Sequence, residues 1–197
     1  MFTGIITKTG TVIEAAPSRV AVRAERNTVR KLPIGGSVAL DGVCLTVVSK
    51  KRDMFAADIM QETARKTTIG EMAHGHIVNL ELPATPASFL SGHIVQGHVD
   101  GIGVVKKITA AKNRRIIEVA FPASLARYVA SKGSIALNGV SLTIISIRSN
   151  RFIVGIIPHT WKATALFTLK LGSRVNIETD VLAKYVERLS ARKKFLS

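Results

Sequence analysis

The 197-residue chain is poor in cysteine, with Cys44 alone, and poor in aromatics, with one Trp, two Tyr and seven Phe. A single thiol excludes an intramolecular disulfide framework and a zinc site built on cysteines. No apolar run approaches the roughly 18 residues a membrane-spanning helix requires, so no membrane partner is expected. The opening stretch MFTGIITKTGTV lacks a basic segment followed by an apolar one. No signal peptide is therefore expected, and the cytoplasm is the default location.

Acidic residues are also scarce. Thirteen Asp and Glu stand against 28 Lys and Arg, for a formal net charge of +15. Charge of this size invites a nucleic-acid reading. The basic residues are dispersed, however, with small clusters at Lys50-Lys51-Arg52, Lys112–Arg115 and Arg192-Lys193-Lys194. With few aromatics to stack on bases, these read as solvated turns and a tail, and no nucleic-acid partner is expected. The five histidines (His74, His76, His93, His98, His159) fit neither H-E-x-x-H nor a Cys/His finger, so no metal is expected. What remains is ordinary globular composition, 47% hydrophobic and 21% charged, which excludes disorder and suffices for one or two cores. A mean hydropathy of +0.26 is high for a soluble chain, and subunit association could hide the surplus apolar surface.

The chain is written twice. Ser37-Val-Ala-Leu-Asp-Gly-Val-Cys-Leu-Thr-Val-Val48 returns 97 residues later as Ser134-Ile-Ala-Leu-Asn-Gly-Val-Ser-Leu-Thr-Ile-Ile145. The offset then continues without a gap, pairing Phe55 with Phe152, Thr63 with Thr160, Asn79 with Asn176 and Glu81 with Glu178. Near the start it shortens to 93, with Gly4, Gly10 and Val12 facing Gly97, Gly103 and Val105. An indel of that size suits a loop. Two copies of about 90 residues fit two like domains rather than a solenoid. No Gly/Ser- or Pro-rich linker parts them, so they are expected to join tightly around Ala87–His93.

Within each copy the pattern is β. Val20–Ala24, Leu45–Ser49, Ile116–Phe121 and Leu142–Ile147 are β-branched, alternating runs bounded by turn residues. Asp41-Gly42 and Asn138-Gly139 are tight-hairpin dipeptides. Short strands at regular spacing predict an all-β fold of small antiparallel barrels or sandwiches. Ala123–Ser131 reads as a short helix with Leu125, Tyr128 and Val129 on one side. Val181–Ser197 places Leu182, Tyr185, Val186 and Leu189 at helical spacing and has no counterpart in the first copy. Its apolar stripe must bury against its own barrel or against another subunit.

Several segments carry a resemblance. They are Met1-Phe-Thr-Gly-Ile-Ile6, the duplicated G-V-[CS]-L-T, Met60-Gln-Glu-Thr63 with its echo Pro158-His-Thr160, and Gly92-His-Ile-Val-Gln-Gly-His98. Over essentially its whole length the chain resembles the riboflavin synthase family, trimeric enzymes with two lumazine-binding repeats. The resemblance implies two similar Greek-key β-barrels, at 1–93 and 94–181, and a trimerisation helix at 182–197. It implies a transferase that dismutates two molecules of 6,7-dimethyl-8-ribityllumazine. One donates a four-carbon unit, giving riboflavin and 5-amino-6-(D-ribitylamino)uracil, with no cofactor. The partners implied are the lumazine and a homotrimer, with lumazine synthase a further candidate. The alternative is a non-catalytic lumazine- or flavin-binding relative of the same fold.

Carried over residue by residue, the resemblance implies first-copy substrate contacts from Gly4, Ile5, Ile6, Cys44, Leu45, Thr46, Asp58, Ile59, Met60, Gln61, Glu62 and Thr63. Second-copy contacts come from Gly97, His98, Val99, Lys132, Ser141, Leu142, Thr143, Gly155, Ile156, Ile157, Pro158, His159 and Thr160. His98, able to give and take a proton near neutrality, is the first candidate for proton transfer. Ser141 is assigned to activating or positioning a hydroxyl nucleophile, Cys44 to contacting the other ring, and Lys132 to stabilising the carbanion. Glu62 and Asp180 are candidate acid/base helpers, and His93 is read as structural or orienting. His159 stands where the family carries a carboxylate, which withdraws that role from the second copy.

Overall fold

The computed structural model describes residues 1–193. The first copy contributes strands β1 (Lys8–Ala16), β2 (Arg19–Arg23), β3 (Ser37–Leu40), β4 (Val43–Lys51), β5 (Met54–Asp58) and β6 (Ile77–Glu81). It also carries helices α1 (Arg26–Lys31) and α2 (Gln61–Lys66). The second copy contributes β7 (Gly101–Ala111), β8 (Arg114–Ala120), β9 (Ser134–Leu137), β10 (Val140–Arg148), β11 (Arg151–Ile156), α3 (Pro158–Ala163) and β12 (Arg174–Thr179). Helix α4 (Val181–Lys193) ends the described chain; Lys194 and the rest of the tail lie outside it.

Each set of six strands closes into an antiparallel barrel, in the order β1-β2-β5-β4-β3-β6 and, equivalently, β7-β8-β11-β10-β9-β12. The turn chemistry explains the hairpins. Asp41 and Gly42 have φ of 44° and 76°, and Asn138 and Gly139 have 46° and 78°, the doubly positive pattern of a two-residue turn that matches strand twist. Bulges recur at equivalent points, in β4 between Val47 and Ser49 and in β10 between Ile144 and Ser146. They add the local bend that closing a small sheet requires.

Strand alternation sorts each barrel into inside and outside. In β4, Val43, Leu45 and Val47 are buried while Thr46 is exposed; in β10, Val140, Leu142 and Ile144 are buried while Thr143 is exposed. The same period turns Cys44 and Ser141 outward, half-buried. The first core gathers around Phe55, Val20, Val22 and Leu80, the second around Phe152, Ile117, Leu137 and Ile144.

The barrels meet along a pseudo-twofold seam. Phe2 and Val95, equivalent in the repeat, pair as an antiparallel bridge and pack with Ala39 and Ala136. Asn79 Nδ2 donates to the Asn138 carbonyl at 2.9 Å, and Asn176 Nδ2 to the Asp41 carbonyl at 2.9 Å. The Asn79 and Asn176 side-chain oxygens accept from Ala165 N and Thr68 N. Each asparagine is thus satisfied across the seam, which locks the barrels together.

Two segments take a more definite form. Ala123–Tyr128 forms a 3₁₀ helix rather than an α-helix, squeezed between Pro122 and the turn at Lys132-Gly133. It buries Leu125, with Tyr128 and Val129 packed against the second core. Helix α4 does not bury its stripe on its own barrel: Leu182, Tyr185, Val186 and Leu189 are each about 60% exposed or more. It is tethered by Lys184–Asp100 at 2.7 Å and Arg127–Glu187 at 3.1 Å. No helix among the described residues is long and apolar enough to cross a membrane.

Candidate functional site

Two glutamates, Glu178 buried and Glu81 half-buried, set the geometry. Glu81 accepts from Thr3 N and Thr3 Oγ1 at 2.7 Å and from Gly4 N at 3.0 Å. Its repeat equivalent Glu178 accepts from Gln96 N at 2.6 Å, Gly97 N at 2.9 Å and His98 N at 3.1 Å. Burial raises both carboxyls above the usual range, and the backbone donors work against that rise. Each glutamate therefore fixes the leader segment of its own copy.

The leaders then cross. Ser141 N donates to the Gly4 carbonyl at 2.8 Å, and Cys44 N to the Gly97 carbonyl at 2.9 Å. Both glycines have positive φ, +74° and +81°. A Cβ at Gly4 would stand 2.6 Å from Ser141 Cβ, and one at Gly97 2.6 Å from Cys44 Cβ, so neither position admits a side chain. The grouping drawn from the repeat is corrected accordingly. Gly4–Ile6 sits at the second barrel, with Ile6 inside its core, and Gly97–Val99 sits at the first, with Val99 against its core. The cause is the Phe2–Val95 bridge, which runs the two leaders antiparallel past each other before each enters its own first strand.

At the first barrel this produces a cavity of about 390 Å³, lined by Val43, Cys44, Met60, Glu62, Thr63, Lys66, Thr67, Gly97, His98 and Val99. Leu45 and Ile59 face the core, so only their backbone can meet a ligand, and Thr46 and Asp58 are exposed on their strands. Gln61 points into a different groove, beside Ala16, Pro17 and Arg65. Lys66 and Thr67 are new to the site. The signal for Lys66 is its i,i+4 spacing from Glu62 on α2.

At the second barrel, Leu142, Ile6 and Ile156 are core residues. Ile5, Thr143, Ile157, Pro158 and His159 are exposed, and Gly155 and Thr160 half-buried. Thr164 Oγ1 donates to the Thr160 carbonyl at 2.8 Å, as Thr67 does to Thr63, so the two mouths share one frame. Lys132 is held at φ +67° where the first copy has Gly35 at +81°. A lysine in that conformation is strained, so the turn keeps a side chain that the first copy dispenses with.

The strongest polar feature is a pair that the sequence did not join. His93 Nδ1 lies 2.7 Å from Ser141 Oγ. His93 is buried, and its Nε2 has no partner among the described residues. Burial pulls its pKa below the usual histidine value, with nearby Asp180 partly offsetting this. His98 instead belongs with Cys44 at the first cradle. Two like barrels, each met at its mouth by the other copy's leader, define a duplicated two-barrel protein.

A family model for the lumazine binding domain matches twice, at residues 3–83 and 96–180. The chain belongs to the riboflavin synthase family. It is 43% identical over 199 residues to riboflavin synthase of Mycobacterium tuberculosis strain H37Rv, covering 96% of this chain and 98% of that one. It is 39% identical over 197 residues to the Actinobacillus pleuropneumoniae enzyme, covering 98% and 91%. In structure it resembles LumP complexed with riboflavin, at a TM-score of 0.85 and 28% identity, covering 91% of this chain and 99% of that one. LumP complexed with 6,7-dimethyl-8-(1'-D-ribityl) lumazine gives 0.83 and 27%, with the same coverage.

Proposed function

We propose that this chain carries out the riboflavin synthase dismutation with one lumazine in each crossed cradle, as a transferase acting in the cytoplasm. The observation that carries the reading is the crossing itself: duplication supplies two frames alike enough to hold identical rings, yet closed by different polar residues. Orientation of two flat reactants can supply up to roughly 7–11 kcal/mol of acceleration. Cys44, Thr63, Gly97, His98 and Val99 hold one ring; Gly4, Ile5, Ser141, Lys132 and Thr160 hold the other.

The chemistry asks little of the protein. The C7 methyl is acidic because its carbanion spreads into an electron-poor ring, so a weak base suffices. In the tautomer with Nδ1 unprotonated, His93 accepts the Ser141 hydroxyl hydrogen, which directs the serine oxygen lone pairs at its surroundings. That pair is suited to position or activate the hydroxyl that adds at C7. His98, exposed beside Cys44, is suited to carry a proton at the other ring.

The exposed stripe of α4 supports a homotrimer, in which burying its four large apolar side chains would contribute several kcal/mol. Reacting rings then meet between the first cradle of one subunit and the second cradle of a neighbour. Lumazine synthase, the source of the substrate, is a candidate partner. LumP's likeness favours one alternative, a lumazine-binding protein without turnover. Incubation with the lumazine separates them: riboflavin and the pyrimidinedione in equal amounts mark the enzyme, whereas bound, unchanged lumazine marks the binder.

A further inference from the structure

The two cradles are alike in backbone and unlike in charge. On α2, Glu62 and Lys66 form an ion pair, Oε1 to Nζ 2.6 Å, and both line the first cavity beside Cys44 and His98. At the equivalent positions, 97 residues on, the second copy has His159 and Ala163. The position of Lys66 is Ala163 on α3, where the lysine, Lys162, stands one residue earlier and so on a different side of the helix. Two identical molecules in two matched frames stay chemically equivalent unless side chains that differ between the frames make them unlike. Lys66 brings to one frame a full positive charge that its counterpart, an alanine, does not bring to the other.

We propose that Lys66 is a specificity-determining residue that selects the ring anion of the lumazine held in the first cradle. The inference rests on each cradle holding one lumazine. In forming this anion the C7-methyl C–H bond breaks, the proton passes to solvent, and the electron pair spreads over the ring. A cation lining the cavity lowers the free energy of that form and leaves the neutral ring almost untouched. Glu62 tempers the effect with its opposite charge. Both groups are exposed at the cavity; a ring seated there displaces water and strengthens the coupling. The second copy has Ala163 at this position and offers Lys132, on the turn before β9, instead, so the two frames differ in where their cation stands.

The test is the absorbance of bound lumazine as a function of pH, recorded by stopped flow before turnover, on the full chain. The parent binds two lumazines that ionise in two steps. Lys66→Met moves the more acidic step up, roughly threefold in the ionisation constant, the size expected of a partly exposed charge pair. Glu62→Gln moves the same step down, and Lys66→Arg restores it. A general folding defect does not produce shifts of opposite sign. Two bound lumazines whose ionisation is the same in parent, Lys66→Met and Glu62→Gln overturn the inference while leaving the two-cradle reading intact. Occupancy of a single site overturns that reading. The inference, which rests on it, falls with it.

Discussion

His93 Nδ1 and Ser141 Oγ lie 2.7 Å apart at the mouth of the second barrel, although 48 residues separate them in the chain. The contact joins the leader of the second copy to an outward position of β10. If the pair acts as a unit, Ser141→Ala and His93→Gln each lower turnover about 100-fold or more, and the double variant is little worse than either. Steady-state kinetics on the three variants checks this, with lumazine affinity nearly unchanged. Additive losses contradict it.

The pH profile follows from burial of the same imidazole. Its pKa is held below the ordinary 6.5, so it is neutral at neutral pH. Protonation removes the Nδ1 acceptor. Turnover should therefore fall on the acid side, with the limb displaced to a pH lower than an exposed histidine gives. His93→Gln should abolish that displaced limb. An acid limb in the parent at or above 6.5 contradicts the assignment.

Asp41 provides a stability test. It is buried, and burial lifts its pKa from 3.8 to about 7. The unfolded chain thus ionises it more readily than the folded one. Its burial cost is absent below about pH 3.8, accrues up to about pH 7 and is complete above. Its equivalent Asn138 makes the same bond without charge: Asp41 Oδ1 accepts from Asn79 N at 2.7 Å, and Asn138 Oδ1 from Asn176 N at 2.7 Å. Asp41→Asn should stabilise the protein by on the order of 1–4 kcal/mol at pH 8 and by little at pH 4. Denaturant unfolding at both pH values measures it, and an equal effect at the two would contradict the burial argument.

Crossed leaders make a directional prediction. Gly4→Ala, although in the first copy, should disturb the second cradle, where Trp161 on α3 reports ligand by fluorescence. Gly97→Ala, in the second copy, should disturb the first, where Cys44 is the reporter through its modification rate. Each substitution places a Cβ 2.6 Å from a neighbour's Cβ, and the positive φ adds strain. Effects confined to the barrel of the mutated copy would contradict the crossing.

Much of this was legible in the chain, for reasons of local chemistry. Asp-Gly and Asn-Gly between apolar runs admit few structures other than tight hairpins, and a 97-residue repeat with a shared strand pattern forces two like barrels. Strand period alone turns Cys44 and Ser141 outward, while Leu45, Ile59, Leu142 and Ile156 go to the cores. The crossing was not legible. Repeat alignment groups residues by copy, whereas Gly4 and Gly97 are placed by a bridge between equivalents, Phe2 and Val95, which no periodicity encodes. The same gap hid the His93–Ser141 pair. Gln61 was over-read, since motif membership says nothing about which face of a six-residue helix a side chain takes.

If α4 holds the proposed trimer and the reacting rings come from different subunits, Leu182→Glu with Val186→Glu should give monomers by sedimentation and remove turnover in parallel. A monomer with full activity would refute the intersubunit arrangement.

Duplication is proposed to have produced two working cradles per chain. Calorimetric titration with a lumazine analogue that cannot react measures this most directly. Two molecules bound per chain, one of them lost in Ser141→Trp and the other in Cys44→Trp, is the predicted result. A single molecule bound per chain, insensitive to one of these substitutions, would contradict it.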